Sequence, residues 1–109
     1  MLLLKIIIIL KKIGVGSFYS FIIIDDLIST GTTLVRTART CIDLGAARVI
    51  AAATHGLFMG DANAVLADPA LEQIVITDTV VPFRLEEGAV KSKVSILSST
   101  ALFAEAIRR

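Results

Sequence analysis

Apolar residues dominate the start of the chain in two runs, LLLKIIIIL at positions 2–10 and FYSFIII at 18–24, separated by two lysines and IGVGS. Their β-branched and aromatic content predicts strands, and the two glycines between them predict a tight turn that pairs them as neighbours. From Thr32 the spacing changes. Leu34, Val35, Ala38, Cys41, Ile42 and Leu44 recur at three- and four-residue intervals, which predicts a helix, with Gly45 placed to end it.

Further along, RVIAAA (48–53) predicts a buried strand, THGLFMGDAN (54–63) a loop, and residues 62–67 a short helix stopped near Pro69. LEQIVITDTV (71–80) predicts a strand ending around Asp78. Residues 82–88 are polar and turn-like, residues 94–97 form a short strand, and STALFAEAIRR (99–109) predicts a helix capped by Ser98 or Ser99. Arg108 and Arg109 suit its C-terminal dipole.

Strands that alternate with helices and are each almost continuously apolar predict an α/β fold: a three-layer sandwich with a mostly parallel sheet covered on both faces. At 109 residues the chain has room for one domain. The expected division is a short hydrophobic strand and turn over 1–20, followed by the domain itself over 21–109.

Composition narrows the function classes. Hydrophobic residues make up 55% and charged residues 19%, enough apolar side chain for a core. A net charge of +1, with no basic block, argues against nucleic acid as a partner. The N-terminal apolar run is short and interrupted by Lys5, and no small-residue cleavage site follows, so neither a membrane span nor a signal peptide is expected. The single cysteine, Cys41, lies among helix-compatible residues and is expected to be a buried structural thiol in a cytoplasmic protein.

The chemistry concentrates in FIIIDDLISTGTTL, positions 21–34. In a parallel sheet ligands bind beyond the carboxyl ends of the strands, where Asp25 and Asp26 are expected to fall. The loop formed by Ser29, Thr30, Gly31, Thr32 and Thr33 leads into a helix N-terminus, whose amides and dipole favour an anion. Gly31 is expected to let the backbone approach that anion, and the hydroxyls add donors. Two carboxylates would repel a phosphate unless they face another part of the same ligand, such as sugar hydroxyls or a bound cation. Capping a helix needs one such residue; two acids and four hydroxyls around one glycine point to a phosphorylated sugar.

IIIDDLISTGTT resembles the phosphoribosyl-diphosphate binding motif of type I phosphoribosyltransferases and ribose-phosphate pyrophosphokinases. GAARVIAAATHGLFMGDA, IVITDTV and the terminal LFAEAIRR follow in an order similar to the C-terminal part of a ribose-phosphate pyrophosphokinase, so the likeness covers residues 21–109. It implies a type I phosphoribosyltransferase-like fold and transfer of diphosphate from ATP to ribose 5-phosphate with Mg²⁺, for nucleotide biosynthesis. By position, Asp25 and Asp26 would hold the ribose hydroxyls, and Ser29, Thr30, Gly31, Thr32 and Thr33 would bind the 5-phosphate.

Ser29 stands where the family often has an acid. Family members are much longer, and their ATP-binding residues, metal-binding histidine and basic catalytic loop have no counterpart here, residues 1–20 looking like a shortened bridge. The expectation is therefore a substrate-binding chain that is inactive alone, with no catalytic residue or metal ligand of its own and with the Mg²⁺ ligands mostly outside it. Its expected partners are ribose 5-phosphate or phosphoribosyl diphosphate, with ATP by resemblance only, and either further copies of itself or a longer homologue.

The alternatives are a non-catalytic regulatory or associated subunit of that enzyme, and a small phosphoribosyltransferase, for which no base-binding hood is visible. His55 and Gly56 match the family's Thr-His loop; His55 is read either as an interface or regulatory contact or as a hydrogen-bonded histidine near the sheet edge. Phe58 and Met59 are expected to be packing residues, and Asp78 a turn former.

Overall fold

The computed structural model describes residues 5–12, 17–100, 107 and 108. The elements among these residues follow in the order β1 (Lys5–Lys12), β2 (Ser17–Ile28), α1 (Thr32–Asp43), β3 (Arg48–Gly56), α2 (Ala62–Val65), β4 (Gln73–Thr77), α3 (Ala89–Ser92) and β5 (Val94–Leu97). The sheet runs in sequence order, β1-β2-β3-β4-β5. β1 pairs with β2 antiparallel, as the two opening runs predict, and every later pairing is parallel. The α/β fold with a mostly parallel sheet is the expected one.

Alternation along the strands sorts the two faces of the sheet. Phe21 and Ile23 of β2, Val49, Ala51 and Ala53 of β3, and Ile74 and Ile76 of β4 are buried in one core with Leu34, Val35, Ala38 and Cys41 of α1. Phe58, Leu66, Leu71 and Val90 complete it. Ile22, Ile24, Ile50, Ala52 and Val75, the intervening positions, are half-buried. The expected C-terminal helix falls mainly on residues 101–106, outside the described ones; Thr100, Ile107 and Arg108 are helical. No described helix is long and apolar enough to cross a membrane.

α1 ends as its sequence indicates. Gly45 takes φ 104°, its N–H reaches Ile42 O at 3.0 Å, and the Ala46 N–H reaches Cys41 O at 3.0 Å, the paired bonds of a Schellman motif. Burial pushes the Cys41 thiol pKa up, in keeping with a structural role.

Three expectations need correction. β2 continues past its apolar run to Ile28, because β3 extends alongside it: Leu27 pairs with His55 and Ile28 with Gly56. Asp25 and Asp26 therefore lie within the strand, and Thr54, His55 and Gly56 belong to β3 rather than to a loop. The turn-like stretch is followed by α3, a single turn that no capping side chain announces.

Candidate anion-binding site

The strands end at different heights. Asp25 pairs with Ala53, which pairs with Ile76, the residue before the last of β4, whereas β2 and β3 project farther. Their overhang carries the chain from β2 through residues 29–31 into α1.

A depression of about 220 Å³ opens there, lined by Asp25, Leu27, Ile28 and residues 29–34. At roughly 30 Å³ per water it holds a small ligand and falls short of the space that drug-sized molecules occupy. Of the predicted site residues the structure brings Asp25, Ser29, Thr30, Gly31, Thr32 and Thr33 together. Asp26 is exposed and stands outside the lining. Adjacent strand residues point to opposite faces, so Asp25, in step with Phe21 and Ile23, looks toward the helices and Asp26 looks away. Asp26 acts on the site through its backbone, since its N–H donates to Asp25 Oδ1 at 2.7 Å.

The helix end is bare. The first bond of the turn is Val35 N–H to Gly31 O at 2.9 Å, which leaves the amides of Thr32, Thr33 and Leu34 without intrahelical partners. No side chain caps this end, and no acid stands in the first turn. The hydroxyls of Thr30 and Thr32 lie 3.3 Å apart, and the Thr33 carbonyl accepts the Thr37 hydroxyl at 2.9 Å. Such an end carries roughly half a positive charge and can hold a phosphate or carboxylate. Asp25 is the charged residue in the lining, so an anion alone would feel its repulsion.

Gly31 has a second reason to be glycine. At φ 85°, an ideal Cβ on it would lie 2.3 Å from Leu66 Cδ2, so the space beside its Cα is taken by α2's flank and not by a ligand. No local pattern signals this contact, which joins residues 35 positions apart.

His55 and Asp78 find partners that the sequence does not reveal. His55 Nδ1 lies 2.7 Å from Thr79 Oγ1, and the Thr77 hydroxyl donates to Thr54 O at 2.6 Å, which ties the end of β3 to the turn after β4. Asp78 accepts the Ser99 hydroxyl and, at 2.9 Å, the Ser99 N–H, and these bonds hold its carboxyl below the usual range. Ser98 Oγ accepts the Thr100 N–H at 3.3 Å. Phe58 is fully buried and Met59 partly exposed.

A larger open groove of about 480 Å³ runs between α1 and α2, with Arg36, Arg39, Asp43 and Asp68 among its lining. Arg39 is committed there to Asp68 through Nε at 2.7 Å, so the groove has mixed charge and one cation already paired. Among the described residues no group of three or more His, Cys, Asp or Glu side chains is arranged to hold a metal ion.

The family model described as "Phosphoribosyl synthetase-associated domain" matches residues 10–109. A ribose-phosphate pyrophosphokinase of Haemophilus ducreyi is 48% identical over 88 residues, which is 81% of this chain and 27% of that protein. The namesakes from Pasteurella multocida and Aquifex aeolicus are 46% and 40% identical over the same shares. The crystal structure of phosphoribosylpyrophosphate synthetase from Mycobacterium smegmatis superposes with a TM-score of 0.69 at 27% identity, covering 93% of this chain and 35% of that one. The chain thus spans about a quarter, 27%, of the length of these curated relatives.

Proposed function

The chain belongs to the phosphoribosyl synthetase-associated domain family, and from that premise we propose that it binds ribose 5-phosphate or phosphoribosyl diphosphate in the depression between β2 and α1. The amides of Thr32, Thr33 and Leu34 take the 5-phosphate, with Ser29, Thr30, Thr32 and Thr33 hydroxyls around it. Asp25 accepts the ribose hydroxyls, and Asp26 holds the Asp25 carboxylate in place through its N–H. The observation that carries this reading is the uncapped first turn of α1 opening into the same small depression as one carboxylate. A phosphorylated sugar satisfies both, whereas inorganic phosphate satisfies one and meets repulsion from the other. The type I phosphoribosyltransferase fold of this family and the activity for which its relatives are named point the same way.

The longer relatives are named for the ribose-phosphate pyrophosphokinase reaction. Phosphoryl-type transfer rests on cations placed over the transferred group, and among the described residues the lining of the depression contains no Lys or Arg. This chain therefore contributes sugar-phosphate binding and does not transfer diphosphate from ATP by itself. Mg²⁺ commonly binds through one or two carboxylates together with phosphate oxygens and water, so Asp25 fits a supporting place beside a metal brought by a diphosphate ligand. Assembly with further copies or with a longer homologue, in the cytoplasm, completes the proposal.

Isothermal titration with ribose 5-phosphate, with and without Mg²⁺, tests it. Saturable heat at one site per chain is expected, and an absence of heat at millimolar ligand would refute it.

A second reading, a non-catalytic subunit of the longer enzyme, draws on Val81 and Phe83, which are 72% and 70% exposed, and Leu97, 58% exposed. Tight association with a full-length homologue, together with no sugar-phosphate binding, would favour it. A small phosphoribosyltransferase would instead release diphosphate from phosphoribosyl diphosphate with a base, and no such release is expected.

A further inference from the structure

The anion loop is touched at each of its three residues by one stretch of chain. The Met59 N–H donates to Ser29 O at 2.9 Å. Gly60 stands against Thr30, with 3.5 Å between an ideal Cβ and Thr30 Cγ2. Leu66 fills the space beside Gly31, its Cγ 2.7 Å and its Cδ2 2.3 Å from where a Cβ would be. Just upstream, the Leu57 and Phe58 N–H groups both reach Ile28 O, at 2.9 and 3.2 Å. Residues 57–66 thus underlie the loop from β2 to α1.

Leu66 is the side chain of that stretch with the closest grip. It is fully buried, and its backbone is fixed by its N–H to Ala62 O at 2.9 Å, so it has no free space to yield into. Gly31 both starts α1 and accepts the first intrahelical bond, from Val35. Where Gly31 sits therefore decides where the three unpaired amides of Thr32, Thr33 and Leu34 point.

We propose that Leu66 is a positioning residue for the anion site: it seats Gly31 so that the bare amides converge on the phosphate, without touching the ligand itself. The proposal rests on the reading of this loop as a sugar-phosphate site, and it predicts an effect in the ligand-free protein as well. Leu66→Ala removes the seat, while Leu66→Met keeps most of its volume.

The test is amide hydrogen exchange of the ligand-free chain, read at Val35 and Met59, whose bonds to Gly31 O and Ser29 O report the loop, and at Ile74 as a core reference. Leu66→Ala should speed exchange at Val35 and Met59 at least tenfold beyond any change at Ile74, and Leu66→Met should restore it to within about threefold. Leu66→Val, with a smaller cavity, serves if the alanine variant does not fold. Exchange at Val35 and Met59 rising only in step with Ile74 would overturn the proposal. Where the wild-type chain binds ribose 5-phosphate, Leu66→Ala should also weaken that affinity at least tenfold with the chain still folded, and unchanged affinity would equally overturn it. Selective exchange without any ligand binding by the wild type would leave the seat standing and remove the sugar-phosphate reading instead.

Discussion

A side chain at Gly56 would collide with Phe58: an ideal Cβ there lies 2.6 Å from Phe58 Cε2 and 2.7 Å from Ile76 Cδ1. The ring lies over the end of β3 because Phe58 adopts φ 52°, a left-handed conformation that costs a non-glycine residue about 1–2 kcal/mol. Full burial of the ring offsets that cost. Gly56→Ala should therefore destabilise the chain by about 1–3 kcal/mol through overpacking. Urea unfolding checks this, with a lowered midpoint and an unchanged slope expected.

Acid should loosen the chain through three carboxylates. Asp68 is held below its usual range by the Ala70 N–H and then by Arg39, Glu72 by Arg48, and Asp78 by the Ser99 hydroxyl and N–H. A carboxylate with a lowered folded pKa contributes stability that is complete above its unfolded value, near 4, and is lost as pH falls through the folded value. Stability should be flat between about pH 5 and pH 8 and decline below about pH 4. The Ser99 amide resonance should follow Asp78 in that descent, and Asp78→Asn should remove that pH dependence while leaving the one that the Ala70 amide reports for Asp68.

The His55–Thr79 contact is a local tie between β3 and the turn after β4. The Thr79 hydroxyl also donates to Thr54 O at 3.1 Å, so Thr79→Val should cost about 1–3 kcal/mol, the usual worth of two such bonds, and leave ribose 5-phosphate affinity unchanged. A large loss of affinity in Thr79→Val would make His55 part of the ligand site.

With ATP, ribose 5-phosphate and Mg²⁺ the isolated chain should release no AMP above background. A coupled AMP assay checks this, and turnover that vanishes in Asp25→Asn would show that the missing cations are supplied from elsewhere in the chain.

Elements with a local pattern are legible in the amino-acid sequence itself. The paired opening strands follow from their β-branched content, and α1 with its Gly45 stop follows from a 3.6-residue period. What the sequence hides depends on partners far along the chain. Asp25 and Asp26 interrupt the apolar run of β2, yet pairing with β3 carries the strand on to Ile28. That extension turns two adjacent acids to opposite sides and takes Asp26 out of the depression. Gly31 reads as a close approach for an anion, and the structure shows a second demand on it that the sequence hides, Leu66 packed where a Cβ would stand. α3 has four residues and no capping side chain, so nothing local marks it.

In the proposed complex, amides and carboxylate divide one ligand between them, phosphate to Thr32, Thr33 and Leu34 and sugar to Asp25. Titrating the wild type and Asp25→Asn with ribose 5-phosphate and, separately, with inorganic phosphate tests it most directly. Asp25→Asn should weaken ribose 5-phosphate about tenfold, ~1.4 kcal/mol, while inorganic phosphate binds as well as before or better, a like charge having been removed. Equal losses for both ligands, or no loss for either, would contradict it.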